Sequence, residues 1–430
     1  MKTFVTHLVV LFAKRIIKKY RPIIIGITGS VGKTSAKEAI ALALRSHTCV
    51  RASVGNFNTE IGVPLVVIGI DQSPGRSLLA WLGALVQAVR LIVVRDPSYP
   101  RVLILEMGAD RPGDISYLTQ LAPCTIGAIT AIGPAHLEKF GTMEVLVKEK
   151  KEMVRHLSAE STAIINADDP FLYPPSEHVR ARLLTFGFSS NADLRITSYI
   201  DRYVYMPPEH MEMSISFECR FSDQTVECEL QNAVGKQSAY AALVGLATAC
   251  ALDIPLKQAV QDVREYVGPK GRMKLLGGMK QTLIIDDSYN SSPLAAYEAL
   301  TFMESIRIHE YARRIAVFGD MLELGTFTEQ EHRKLGELCV QKGVDILVTI
   351  GSAAKWIADG AAESGIDTSR IFRFDRTEEV HEVLLDTMKQ GDVVLVKGSQ
   401  GMRLEKIVKE ILNEPERASE LLVRQGKEWQ

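Results

Sequence analysis

No two cysteines in this sequence are spaced as Cys-x-x-Cys, and the six present (Cys49, Cys124, Cys219, Cys228, Cys250 and Cys339) are scattered along 430 residues. That spacing argues against a zinc site or a disulfide framework and suits a reducing compartment, so a cytoplasmic location is expected. Charge of one sign is also missing: 50 Lys and Arg stand against 52 Asp and Glu, a formal net charge of -2. Without a global basic field, nucleic acid is not an expected partner. A monomer acting on small molecules is expected instead. There is no internal repeat and no low-complexity tract, and the length suits two or three domains.

Long hydrophobic runs are scarce as well. Leu8 to Ala13 is too short to span a bilayer, no small-residue cleavage site follows it, and Lys14, Arg15, Lys18 and Lys19 come next. An amphipathic helix over residues 1–20 is the expectation, either packed on the protein or lying on a membrane surface, at the inner face of the membrane. Leu78 to Val94 is borderline for a span. Only Gln87 and Arg90 interrupt it, and Arg90 near its centre favours an amphipathic helix, read as a helical insertion over 77–95.

What is present is an α/β alternation. Apolar runs at Ile23–Ile27, Val102–Leu105, Ile126–Ile132 and Thr162–Ile165 read as buried parallel strands, with a helix over Lys33–Leu44. Between 184 and 231 the period changes to strict alternation, as in Met213-Ser214-Ile215-Ser216-Phe217, which predicts antiparallel strands. Ala239 to Leu252 is a helix rich in small residues. Gly268-Pro269-Lys270-Gly271 reads as a hinge. A second α/β unit follows, with strands at Thr282–Ile285, Arg314–Phe318, Ile346–Ile350, Ile371–Phe374 and Val393–Val396. The expected division is an N-terminal helix 1–20, a nucleotide-binding unit 21–269 with a β-rich segment 184–231, and a Rossmann-like C-terminal unit 270–430, with a cleft between the two units.

The chemistry starts where the first strand meets the first long helix, at Gly29-Ser30-Val31-Gly32-Lys33-Thr34. Glycines let backbone N–H groups turn toward phosphate oxygens, and the helix N-terminus adds its positive end. Lys33 is placed for the β/γ-phosphates and Thr34 for Mg²⁺. Ile27 occupies the position of the usual first glycine, so the loop is a variant. Glu106, at the end of a buried strand, is placed to coordinate Mg²⁺. His136 and Glu138 follow another strand end. Lys148-Glu149-Lys150-Lys151-Glu152 reads as a solvated helix face. In the second unit, Asp286-Asp287-Ser288-Tyr289-Asn290 offers an acid for ribose and Tyr289 for a base, and Lys397-Gly398-Ser399 forms another strand-end loop.

Taken in order, these segments resemble the Mur ligase family, and within it the branch that adds D-Ala-D-Ala to a UDP-N-acetylmuramoyl-tripeptide. The match also takes in Gly55-Asn56-Phe57-Asn58-Thr59-Glu60-Ile61-Gly62-Val63-Pro64, Glu106-Met107-Gly108, Ala135-His136-Leu137-Glu138-Lys139-Phe140-Gly141 and Asn166-Ala167-Asp168-Asp169. In the second unit it takes in Gly271-Arg272, Ser291-Ser292-Pro293 and Gly319-Asp320-Met321-Leu322-Glu323-Leu324-Gly325.

The resemblance implies an ATP-dependent amide ligase of peptidoglycan precursor synthesis, using two Mg²⁺ ions. A substrate carboxylate takes the γ-phosphoryl group to become an acyl phosphate, and an amine then displaces phosphate. It implies that Gly29, Ser30, Val31, Gly32, Lys33 and Thr34 hold ATP phosphates, with Arg272 touching them. Asp287 would take the ribose and Tyr289 the adenine. Thr34, Glu106, His136 and a carbamylated Lys150 would hold metal, while Asn56, Asn58, Lys397 and Ser399 would meet substrate. Lys33, Lys150, His136 and Arg272 form the implied catalytic set.

Three departures bear on substrate. Only about 20 residues precede the first strand, where the branch carries a UDP-binding domain, so the expectation is that this domain is lacking. The adenine motif Gly-x-His-Asn-x-x-Asn appears as Gly235-Lys236-Gln237-Ser238-Ala239-Tyr240-Ala241, and Gln400 replaces an Arg. A Mur-like ligase with another acceptor (a lipid-linked precursor, poly-glutamate or another envelope polymer) is the alternative these departures raise.

Overall fold

The computed structural model describes residues 2–53, 57–75, 77–134, 137–175, 179–208 and 210–426. The chain opens with helix α1 (Lys2–Tyr20), strand β1 (Ile23–Thr28), α2 (Lys33–Leu44), β2 (Val50–Ala52), α3 (Gly62–Ile68), α4 (Leu78–Val93) and β3 (Val102–Glu106). Then come α5 (Asp114–Leu121), β4 (Ile126–Ile129), α6 (Leu137–Phe140), α7 (Met143–Arg155), β5 (Thr162–Asn166) and β6 (Arg182–Gly187). Three longer strands, β7 (Leu194–Met206), β8 (His210–Phe221) and β9 (Gln224–Gln231), precede α8 (Gly235–Ala251) and α9 (Leu256–Val263).

These strands form one sheet in the order β2-β3-β1-β4-β5-β6-β7-β8-β9, with the pairs from β2 to β7 parallel and the last two antiparallel. All five residues of β3 and of β5 are buried, as strands covered by helices on both faces must be. From β1 the chain goes first to one side, to β2 and β3, and then to β4 on the other. The crevice at the carboxyl end of β1 is therefore the topological switch point, where open α/β sheets bind ligands. The antiparallel strands foreseen between 184 and 231 extend this same sheet.

The second sheet contains β10 (Lys274–Gly278), β11 (Thr282–Asp287), β13 (Arg314–Gly319), β14 (Ile346–Ile350), β15 (Ile371–Phe374) and β16 (Val393–Lys397), in the order β10-β11-β16-β13-β14-β15. Only β10 runs antiparallel. Between β11 and β13, the short strand β12 (Arg307–Ile308) leaves this unit and pairs with β7 of the first sheet. Tyr203 packs edge-on against Phe302 (4.9 Å between centroids) and Tyr205 Oη donates to the Gln281 carbonyl (3.2 Å), so the two units share a packed contact.

Two expected boundaries move by more than two residues. The strand foreseen to Ile132 ends at Ile129, because the chain turns there to back the phosphate loop: the Ser30 amide donates to the Ala131 carbonyl. The small-residue helix begins at Gly235, earlier than Ala239. Its small residues let it lie close to α2. A Cβ on Gly245 would sit 2.7 Å from the Ala39 carbonyl oxygen.

Helix α1 packs on the protein, burying Val9, Ala13 and Ile16 with Val63, Val67, Ala84, Ala88 and Leu91. Helix α4 departs from its expected amphipathic form. Arg90 lies in its last turn, not at its centre, and its outward face carries Leu79, Leu82, Val86, Val89 and Val93. Among the described residues, no helix is long and apolar enough to cross a membrane.

The close approach of α8 to α2 generates a test. Gly245→Val should cost about 1–3 kcal/mol by overpacking, whereas Gly83→Ala on the open side of α4, where a Cβ meets nothing within 4 Å, should stabilise by up to about 1 kcal/mol. Denaturant midpoints of the two variants check both signs.

Candidate active site

The loop after β1 is shaped by two glycines in positive φ, Gly29 (φ 145°) and Gly32 (φ 84°). A side chain on Gly29 would collide with the Thr130 hydroxyl, and Gly32 caps α2 in the left-handed region that favours glycine. Lys33 follows as the first residue of α2, and its Nζ donates to the Gly29 carbonyl (2.7 Å). Thr34 Oγ1 donates to Glu106 Oε2 (3.2 Å), joining the phosphate loop to the end of β3. Lys37, one turn further along α2, is buried beside the same carboxylate at 3.6 Å.

Lys150 projects from α7 and is 2% exposed. Burial first, and the nearby Lys33 charge second, lower its pKa to about 7. Burial likewise lowers the pKa of Lys33, with Glu106 opposing the shift. The charged run 148–152 is thus not wholly a solvated face: Lys148 is exposed, while Glu149 and Lys150 are buried. Glu149 accepts from the Gly113 and Ile115 amides (2.7 Å each) and so holds the start of α5.

Lys33, Asn58, Glu106, Lys150, Arg272 and Tyr289 line one cleft of about 850 Å³, with Gln400 also on its wall. Arg272 comes from the second unit and stacks on the Tyr289 ring at 4.3 Å, with Arg424 on the same ring at 4.9 Å. Tyr289 faces the cleft of Glu106 and Lys150, with the Arg272 and Arg424 guanidinium groups over its ring. Asn58 lies against Gly108, whose amide donates to the Asn58 carbonyl (2.8 Å). His136 and Asn56 lie outside the described residues.

Behind the phosphate loop a smaller pocket is lined by Ser30, Gln237, Arg272, Asp287, Ser291 and Lys397. Lys397 is buried with its Nζ on Asp287 Oδ2 (2.6 Å) and the Asn290 carbonyl (3.0 Å). Ser399 Oγ accepts from the Leu322 amide (2.8 Å) and is buried. Lys397 lines this pocket, and neither it nor Ser399 is on the wall of the cleft where Asn58 lies. Among the described residues, the buried hydroxyls of Ser30 and Ser291 have no hydrogen-bond partner.

A third cavity, about 360 Å³, adjoins this pocket and is lined by Thr130, Asn166, Asp168, Phe186, Gln237 and Tyr240. Its wall is pinned by Asp168, which accepts from Tyr240 Oη (2.8 Å) and the Phe188 and Ser189 amides (2.7 Å each). Asp169 accepts from the Ile132 amide (2.6 Å). Sequence reasoning gave these acids and Glu149 no role. Their signal was faint: acids just beyond a strand end, and one acid inside an amphipathic helix.

The loop Gly319–Gly325 of the second unit reaches the first at Glu138 and Lys139. The Glu138 amide donates to the Glu323 carbonyl (3.3 Å), and Lys139 Nζ lies 3.6 Å from both Glu323 and Asp110. Among the described residues, no group of three or more His, Cys, Asp or Glu side chains is set to hold a metal ion. The donors present near the phosphate loop are the paired oxygens of Thr34 and Glu106.

The model of the Mur ligase middle domain matches residues 90–249, and that of the Mur ligase glutamate ligase domain matches residues 271–400. A UDP-N-acetylmuramoyl-tripeptide–D-alanyl-D-alanine ligase of Bacillus subtilis is 26% identical over 403 residues, covering 94% of this chain and 79% of that protein. The MurF ligase from Thermotoga maritima, solved in complex with ADP, superposes with a TM-score of 0.75 at 25% identity over 96% of this chain and 84% of its own. MurF from Acinetobacter baumannii, at 24% identity, shares the fold with a TM-score of 0.76 over 93% of this chain and 79% of its own. With both family domains in order and the fold shared along nearly its whole length, this chain belongs to the Mur ligase family.

Proposed function

We propose that this protein is an ATP-dependent amide ligase of peptidoglycan precursor synthesis, joining D-Ala-D-Ala to a UDP-MurNAc-tripeptide-like acceptor in the cytoplasm. The observation that carries this reading is the convergence of Lys33, Glu106, Lys150 and Arg272, drawn from both units, on one cleft. The names of the relatives in Bacillus subtilis and Thermotoga maritima support the substrate and the nucleotide.

The residues present fit a nucleotide. Two unpartnered buried hydroxyls, Ser30 and Ser291, line the pocket behind the loop, where polar ligand atoms would satisfy them. Loop amides and the α2 N-terminus favour phosphate. Lys33 Nζ, on the Gly29 carbonyl, stands at the loop where a phosphate would bind. Asp287 reaches the same pocket for ribose, held in place by Lys397. The base falls to the cavity of Asp168, Gln237 and Tyr240 in place of Tyr289.

The oxygen pair of Thr34 and Glu106 fits a hard divalent cation shared with phosphate. Bound there, Mg²⁺ supplies positive charge against the oxygens that gain negative charge during phosphoryl transfer. A second ion would rest on His136 and a carbamate on Lys150. The chain's own cations, Lys33 and Arg272, neutralise and orient the transferring group. Both units wall the cleft, so Arg272 reaches the reacting centre only when the second unit sits on the first.

Phosphate release with UDP-MurNAc-tripeptide and D-Ala-D-Ala tests the reading directly. Stimulation by both substrates together is expected, and stimulation only by another acceptor would redirect it. Lys33→Ala should lower turnover by roughly 10²-fold or more. An unchanged rate would remove Lys33 from the phosphate site.

Lys150 yields a second test. Its amine reacts with CO₂ only when neutral, and burial leaves it largely neutral above pH about 7. With ¹³C-bicarbonate, a carbamate resonance should therefore grow as pH rises through about 7 and be missing from Lys150→Ala. A resonance that persists in the variant would assign the modification elsewhere.

A further inference from the structure

We propose that the outward faces of α1 and α4 form a docking surface for an anionic lipid leaflet, a property independent of which acceptor the ligase uses. The two helices lie side by side with their carboxyl ends together. Lys19 Nζ donates to the Leu91 and Ile92 carbonyls (2.8 and 2.9 Å), and Tyr20 Oη donates to those of Leu91 and Val94 (3.2 and 3.1 Å). Val9, Ala13 and Ile16 of α1 and Ala84, Ala88 and Leu91 of α4 fill the inner side of this layer. The pair is thus a fixed part of the first unit, and its outer side is presented as a rigid surface.

That outer side is unusual for a helix on a chain with balanced charge. Leu79 (81% exposed), Leu82 (58%), Val86 (62%), Val89 (46%) and Val93 (74%) recur at three- to four-residue spacing on α4 and form a continuous apolar stripe. Water on such a stripe costs free energy that burial would recover. α1 adds exposed Leu11.

Charge identifies what covers the stripe. Lys14, Arg15, Lys18 and Arg21 around the end of α1, and Arg90 and Arg95 around the end of α4, are all exposed. No acid occurs from residue 1 to 37 or from 72 to 95, although the whole chain carries a net charge of -2. Positive charge unopposed by nearby acids in sequence therefore flanks this apolar stripe. An apolar stripe flanked by basic residues matches the acyl–headgroup boundary of a leaflet rich in anionic lipid. A second copy of this chain fits poorly, because a two-fold contact puts the same surface on both sides and neither helix carries an acid to pair with these bases. Neither helix is long and apolar enough to cross the bilayer, so the contact is peripheral.

Flotation of the whole protein with vesicles tests the proposal without reference to ligase activity. The vesicles are phosphatidylcholine alone or an equimolar mixture with phosphatidylglycerol. The protein should float with the mixed vesicles and roughly tenfold less with phosphatidylcholine. Leu82→Glu/Val86→Glu should reduce flotation roughly tenfold, as should Lys14→Gln/Arg15→Gln/Lys18→Gln, both acting at exposed positions that leave the melting temperature unchanged. Flotation that is absent, indifferent to phosphatidylglycerol, or unaltered in either variant overturns the proposal. So does a concentration-dependent dimer in sedimentation velocity that Leu82→Glu/Val86→Glu dissolves while vesicle binding is missing.

Discussion

Positive charge held in little water beneath the Gly29–Thr34 loop is the constraint on which the site depends. Lys33, Lys37 and Lys150 gather near Glu106, and Arg272 joins them from the second unit. Burial lowers the proton affinity of both Lys33 and Lys150, and the Lys33 charge adds to it at Lys150 as the Arg272 charge does at Lys33. A cleft so arranged is stabilised by anions, and phosphate groups supply them in the geometry that loop amides and a helix N-terminus already favour. The switch-point topology puts the loop there, and the packed contact between the two units brings Arg272 within reach.

The supports of this arrangement are local and specific. Gly29 and Gly32 permit the backbone path, the Ser30 amide ties the loop to Ala131, and Gly245 lets α8 press on α2. Asp168, Asp169 and Glu149 each accept two or more hydrogen bonds from neighbouring groups and hold the walls. These are acids used as structural acceptors, distinct from the acid that faces the phosphate loop.

Much of this was readable in the chain because the signals are strong and local. A buried strand run followed by Gly-x-x-Gly-Lys-Thr announces strand, loop and helix together, and α2 begins at Lys33 as its pattern requires. The strand end at Glu106 was readable for the same reason, while the strand read to Ile285 continues to Asp287. What depended on long-range packing was not readable. Nothing in the residues next to Tyr289 announces the guanidinium groups of Arg272 and the distant Arg424 over its ring. Nor does the strand end at Lys397 announce its buried pair with Asp287. α4 reads as amphipathic because Arg90 interrupts it, but Arg90 falls in the last turn and leaves an apolar outer face.

For the cleft of Lys33, Glu106 and Arg272 to form an amide, a carboxylate oxygen and not water must accept the γ-phosphoryl group. Labelling the acceptor carboxylate with ¹⁸O and analysing the released phosphate by mass spectrometry tests that transfer directly. During amide formation the amine displaces phosphate together with one former carboxylate oxygen, so each phosphate should carry one ¹⁸O from a fully labelled acceptor. Unlabelled phosphate formed in step with amide product would contradict the account.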